Sequence, residues 1–170
     1  MTISLYQASV PVFTRMLNNL AAMLEKAAAH VEAKKIDPVV LINFRLYPDM
    51  LPFSKQIQIA ADAAKLGTAR IAGVEPPKFE DNEKTFPELI ERVRKTIEYL
   101  KTFKPEQIDG TEEKEIVIPS HDSTLTYRGQ DLLLHRALPN LYFHITTAYA
   151  ILRHNGVELG KRDYLGPTGQ

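Results

Sequence analysis

The stretch YQASVPVFTRMLNNLAAMLEKAAAHV (residues 6–31) decides the fold class. Its apolar side chains at Tyr6, Val10, Phe13, Leu17, Leu20, Leu24, Ala27 and Val31 advance by fours and threes. That spacing places them in one stripe on a helix of period ~3.6. A stripe of this length needs other apolar faces to bury it. Pro11 falls near the start, so either the helix begins close to Ser9 with Pro11 in the first turn, or a longer helix kinks there. The polar cluster His30, Glu32, Lys34 and Lys35 marks the far end, and Asp37-Pro38 breaks the helix.

Working outward, residues 38–51 read as a short helix or an extended connection. Asp49, framed by Pro48 and Pro52, is the expected N-cap of a second long helix. Phe53, Ile57, Ala60, Ala64 and Ile71 form its apolar face, which narrows around Ala60, Ala61, Ala64 and Gly67 so that another backbone can come close. GVEPP (73–77) ends it. After a polar linker, Lys78 to Lys84, Thr85 and Glu88 have capping-box spacing with Pro87 in the first turn. Phe86, Ile90, Val93, Ile97 and Leu100 then predict a third helix. The period changes at EIVI (115–118) and TLTY (124–127), which flank the turn-forming PSHDS (119–123), so a small β-hairpin is expected over about 115–128. In the last helix Leu134, Leu138, Leu141, Ile145, Ala148 and Leu152 form the stripe, Pro139 should kink it, and Asn155-Gly156 stops it. The tail, about 157–170, carries Tyr164 and Leu165 as docking residues. These elements predict one all-α domain over residues 1–170: a four-helix bundle with a small hairpin before the last helix. The long connections allow helices that are not sequence neighbours to pack.

Composition narrows the function classes. The 21 basic and 21 acidic residues cancel, whereas a protein that coats a phosphate backbone carries a basic excess. No nucleic-acid partner is expected. The chain has no cysteine, which removes disulfides, thiol catalysis and Cys-ligated zinc. No segment has the pattern of a signal peptide, and none approaches the ~20 apolar residues of a membrane helix. A cytoplasmic protein without a membrane partner is expected. No dinucleotide fingerprint, P-loop or nucleophile elbow occurs. Ser120-His121-Asp122 is not a hydrolase triad, because adjacent residues cannot supply that geometry.

The histidines are His30, His121, His135, His144 and His154. Two metal ligands on one helix need a spacing of three or four. His135 and His144 are nine apart, on roughly opposite faces; His144 and His154 are ten apart, or about 15 Å along the axis. Neither pair shares an ion on an unbroken helix. A site joining segments, such as His144 with His121 on the hairpin turn, is the remaining metal candidate. His144 borders the buried stripe beside Leu141 and Ala148. It reads either as a group facing an interhelical cavity or as a core-edge His bonded to a backbone carbonyl or a Tyr. Asp62 and Gln58, four apart, can share a hydrogen bond, and an Asp62 carboxylate among alanines faces either an Arg partner, a pocket or solvent. Tyr142, Tyr149 and Tyr164 are pocket or core aromatics. Lys161-Arg-Asp163 reads as a solvated loop. The ligand-site candidates are therefore His144, Asp62 and Tyr164.

The last helix and its exit, YFHITTAYAILRHNG (142–156) followed by GKRDYLG (160–166), resemble an uncharacterised domain-of-unknown-function family of the DinB/YfiT-like superfamily. YQASVPVF (6–13) and IAGVEPP (71–77) resemble it too. The resemblance implies a DinB-like four-helix bundle and a homodimer. Better-known superfamily members use three His ligands, one from the second helix and two from an H-x-x-x-H pair on the last. Here residues 53–72 hold no His, and the residues four before and four after His144 are Asn140 and Ala148. The metal site is thus expected to be degenerate, with no cofactor; a divalent metal is the alternative. The expected function is a homodimeric protein that binds a small ligand or serves as an interaction module. The alternative is a divergent metal-dependent hydrolase or transferase.

Overall fold

The computed structural model describes residues 2–120 and 123–167. In chain order it contains α1 (Leu5–Lys34), α2 (Pro38–Ile42), α3 (Phe53–Ala72), α4 (Phe86–Lys101), α5 (Pro105–Ile108), β1 (Glu115–Ser120), β2 (Ser123–Arg128), α6 (Gly129–Leu132), a π turn (Leu133–Ala137), α7 (Leu138–His154) and α8 (Lys161–Leu165). The four long helices α1, α3, α4 and α7 make an all-α bundle, and β1 and β2 form the antiparallel hairpin ahead of the last helices. No helix among the described residues is long and apolar enough to cross a membrane.

The start of α1 settles the question raised by Pro11. Ser4 caps the helix by accepting the Gln7 N–H at 3.2 Å, and the Gln7 side chain accepts the Ser4 N–H at 3.2 Å. This capping box starts the helix before Ser9, and Pro11 lies inside it, on its exposed side. There the lost N–H costs least, because water can reach the freed carbonyl. Asp37 caps α2 by accepting the Val39 N–H at 3.0 Å. Asp49 does not cap α3: it sits in a turn, and Pro52 occupies the N-cap. The entry is fixed instead by Phe53 N–H donating to the Phe44 carbonyl at 2.8 Å. Thr85 and Glu88 form the expected box at the start of α4.

Helix directions follow from which ends meet. Phe53 stacks at a tilt on Phe86, ring centres 6.0 Å apart, and Asp62 pairs with Arg92, so α3 and α4 run parallel. Glu25 pairs with Arg94, while Val31 and Phe86 line one groove and Asn18 and Lys101 another, so α1 and α4 are antiparallel. Gln56 meets His144 and Gly67 abuts Ala137, so α7 is antiparallel to α3. Two parallel neighbours in sequence require a return path. The linker over residues 73–85 must retrace the roughly 30 Å of α3, which explains its length.

The stripes predicted for α1, α3 and α4 are buried, with Tyr6 only partly so. The last helix departs from expectation at its start, where Leu138 is only partly buried. Leu134 is 50% exposed, while Leu133 is buried. Pro139 has no N–H to offer the His135 carbonyl and its ring crowds it. The chain widens into the π turn, where the Leu138 N–H bonds to the Leu133 carbonyl five residues back. The extra residue rotates everything before it by about one position. Leu133 therefore takes the core place that simple four-residue stepping assigns to Leu134.

The tail docks through its backbone. Asn19 donates to the Tyr164 carbonyl at 2.9 Å, Arg15 donates to the Leu165 and Pro167 carbonyls at 3.1 and 2.9 Å, and Lys26 pairs with Asp163 at 2.6 Å. Tyr164 packs on the core, but the Leu165 side chain stays exposed. The Lys161-Arg-Asp163 run is the start of α8 rather than a loop.

Candidate functional site

Antiparallel packing of α3 on α7 sets two polar-tipped faces opposite each other. On α3, Gln56, Ile59, Ala63, Leu66 and Arg70 step by threes and fours; across from them, Ala137, Asn140 and His144 do the same. At one end the Gln56 side-chain carbonyl lies 2.7 Å from His144 Nδ1. The Gln56 amide nitrogen donates to the Leu51 carbonyl at 2.9 Å, which orients the amide. His144 Nδ1 must therefore carry the proton that Gln56 accepts. Nε2 is left as a lone-pair acceptor; it has no partner among the described residues and is not sealed from solvent. His144 is only 8% exposed, and this burial holds its pKa below the ordinary value, so the ring is neutral at pH 7. The partner is a side-chain amide, where sequence reasoning expected a backbone carbonyl or a Tyr.

One helical turn further along both faces a cleft of about 310 Å³ opens between α3, the π turn and the hairpin. Its apolar wall includes Ile59, Leu66, Ile118 and Leu132. Its polar groups are Asp62, Arg70, Arg136 and Asn140. Gly67 lines the floor: a Cβ there would lie 2.9 Å from Ala137 Cβ, so the glycine is what lets the π turn approach. Larger grooves of 740 and 950 Å³ flank α1, but they are more open.

Asp62 is committed on its other side. Its Oδ1 accepts from Lys65 Nζ at 2.8 Å and from Arg92 Nη2 at 3.2 Å. Arg92, with 1% of its side chain exposed, also pairs with Asp81 and Glu83, each at 2.9 Å, and donates to the Glu80 carbonyl. Gln58 donates to Glu83 at 2.8 Å, not to Asp62, because the returning linker brings Glu83 between them and α4. Lys65 lies over the Phe79 ring, 4.2 Å from its centre. Burial alone would raise the Asp81 pKa, but hydrogen bonds and charges of Lys55 and Arg92 outweigh it and hold the carboxyl below its usual range. This cluster pins the linker to α3 and α4.

The three sequence candidates are thus not one site. Asp62 belongs to the Arg92 network and to the cleft wall. His144 belongs to the Gln56 pair. Tyr164 sits on α8, accepting from Thr146 at 3.2 Å and meeting the Tyr149 ring edge-on at 6.3 Å. His121 lies outside the described residues. His135 is exposed on the π turn, 3.9 Å from Asp131, and His154 packs its ring near Phe44. Among the described residues no three His, Cys, Asp or Glu side chains come together in a metal-binding group. Sequence reading passed over Arg70 and Arg136. Their signal was available: neither has an acidic residue three or four positions away on its own helix.

The family model described as "Domain of unknown function (DUF1993)" matches residues 5–165. The chain belongs to that family. A crystal structure of a DinB family member protein from Shewanella denitrificans is similar to this DUF1993 chain, with 43% identity, a TM-score of 0.92, and coverage of 98% of this chain and 94% of that one. No functionally curated protein matches. The DinB-like resemblance and the helical bundle therefore stand together.

Proposed function

We propose that this DinB-like protein is a homodimeric small-ligand-binding bundle whose ligand lies in the cleft between α3, the π turn and the hairpin. The observation that carries the reading is the cleft itself: three elements of different kinds enclose about 310 Å³ with an apolar wall and a few convergent polar groups. Ligand sites are typically concave and apolar with sparse polar anchors, at ~300 Å³ and above. A π turn in the wall fits the same picture, since such turns concentrate at functional sites. Self-association is supported by the exposed apolar side chains Val39, Val40, Leu46, Tyr47, Leu51 and Phe143, which a second copy would cover. The metal site is read as degenerate, since α3 sets Gln56, not a His, against His144.

The test fills the cleft. Small aromatic fragments are screened by ligand-observed NMR against the wild-type protein and Ala63→Phe, and sedimentation reports the oligomer. Fragments that bind only the wild-type, in a dimer, support the proposal. Equal binding to both proteins, or a monomer at high concentration, overturns the corresponding half. A second reading, a divergent metal-dependent hydrolase or transferase, draws on the free Nε2 of His144. Stoichiometric zinc retained by the wild-type and lost from His144→Ala would favour it over the first.

A further inference from the structure

Two guanidinium groups line the same small cleft, and among the described residues neither has a carboxylate partner. Arg70 is half-buried on the last turn of α3 and, among the described residues, has neither a hydrogen bond nor an ion pair. Among the described residues Arg136, on the π turn, is held by a neutral group: it donates to the Tyr127 hydroxyl at 3.2 Å and lies over that ring. Asp62 shares the wall but is already bound by Lys65 and Arg92. Burial, and then the nearby Arg136 charge, hold the Arg70 guanidinium below its ordinary pKa. Like charges kept together in a partly dry cleft cost free energy unless something of opposite charge joins them. Arginine is also the side chain whose planar fork best matches carboxylate and phosphate oxygens.

Resting on the ligand-site reading above, we infer that the cleft takes a small organic anion: its carboxylate or phosphate head lies between Arg70 and Arg136, and its apolar body lies against Ile59, Leu66, Ile118 and Leu132. Asn140, at the opposite rim, is placed to bond a polar group on the body. The hairpin has a part in this. Through Tyr127 it steadies Arg136, and through Ile118 and Pro119 it roofs the cleft.

The experiment titrates the full-length protein with benzoate, inorganic phosphate and benzyl alcohol at constant ionic strength, following the arginine Nε–Hε signals by NMR. Benzoate should shift the Arg70 and Arg136 signals saturably. Its affinity should fall roughly tenfold or more in Arg136→Gln and in Arg70→Gln, the scale of one charge-assisted hydrogen bond. Arg136 is exposed, so its variant keeps the test valid should Arg70→Gln fold poorly. Benzyl alcohol binding as tightly as benzoate would overturn the anion assignment while leaving the cleft a ligand site. Phosphate binding as tightly as benzoate would overturn the apolar body. No saturable shift with any of the three would sink the ligand reading along with this one.

Discussion

Replacing Arg92 with Met keeps the apolar stem of the side chain and removes its charged head. The wild-type guanidinium is 1% exposed and serves three carboxylates, whose side chains are 31% (Asp62), 41% (Asp81) and 9% (Glu83) exposed. Asp62 keeps Lys65 and Asp81 keeps Lys55, both at 2.8 Å, and both carboxylates can rehydrate. Glu83 cannot: it is left with the Gln58 amide alone. Stranding one partner of a buried ion pair costs ~3–5 kcal/mol. One stranded carboxylate out of three, in a network where Arg92 Nε already lacks an acceptor, points to the low end, about 3 kcal/mol. Urea denaturation should show this as a midpoint lower by about 1–2 M at a typical slope. Adding Glu83→Gln to Arg92→Met should restore about half the loss, since the stranded charge is then gone. A loss under about 1 kcal/mol in the single variant, or no recovery in the double, would refute the view that Arg92 clamps the returning linker.

Two further outcomes follow from the packing. His144 has a folded pKa below its unfolded value because burial disfavours the imidazolium. The unfolded chain therefore binds more protons between the two values, and stability falls as pH drops below ~6.5 until the folded pKa is passed. The melting-temperature gap between wild-type and His144→Gln should accordingly shrink from pH 7.5 toward pH 5.5; a gap independent of pH would contradict the lowering of the His144 pKa by burial. Gly129 is buried where the chain leaves β2, and a Cβ there would lie 2.1 Å from the Thr111 carbonyl oxygen. Gly129→Ala should cost about 3 kcal/mol or more, beyond ordinary overpacking, measured by calorimetry; a melting point within a degree or two of wild-type would show that the Thr111 loop yields.

Most of the fold was legible because periodic burial is a local signal. The stripes of α1, α3 and α4, the Thr85–Glu88 box and the hairpin each depend on residues within a few turns of one another. What misled depended on competition between local options. Asp49 is a good cap by type, yet Phe44 and Phe53 pair their backbones and move the helix start to Pro52. Ser9 and Pro11 make a plausible start, yet Ser4 with Gln7 makes a complete one. In the last helix the position of Pro139 was read as a disturbance, but the phase shift of the π turn was not foreseen: it shows in the Leu138 N–H bond to the Leu133 carbonyl and in the burial of Leu133 over Leu134.

The candidate site was less legible, for a reason that lies in topology. Asp62 and His144 share a small face of residue types, but α3 carries Asp62 toward α4 and Gln56 toward α7, so sequence proximity on one helix sends them to different neighbours. Arg92 was not singled out in the sequence; it is buried because the linker over residues 73–85, forced to run back by the parallel α3 and α4, closes over it with Asp81 and Glu83. Arg136 illustrates the same dependence from the other side. On an unbroken α-helix it would keep the phase of the α7 stripe; the residue added by the π turn re-aims it toward Tyr127 and the cleft shared with Arg70. If that re-aiming matters, Pro139→Ala, which gives the His135 carbonyl a donor again, should favour plain α-helix through residues 133–137. Benzoate affinity should then fall even though Pro139 does not line the cleft. Unchanged affinity, with the π turn shown by NMR to be gone, would mean that the turn is a consequence of the proline and nothing more.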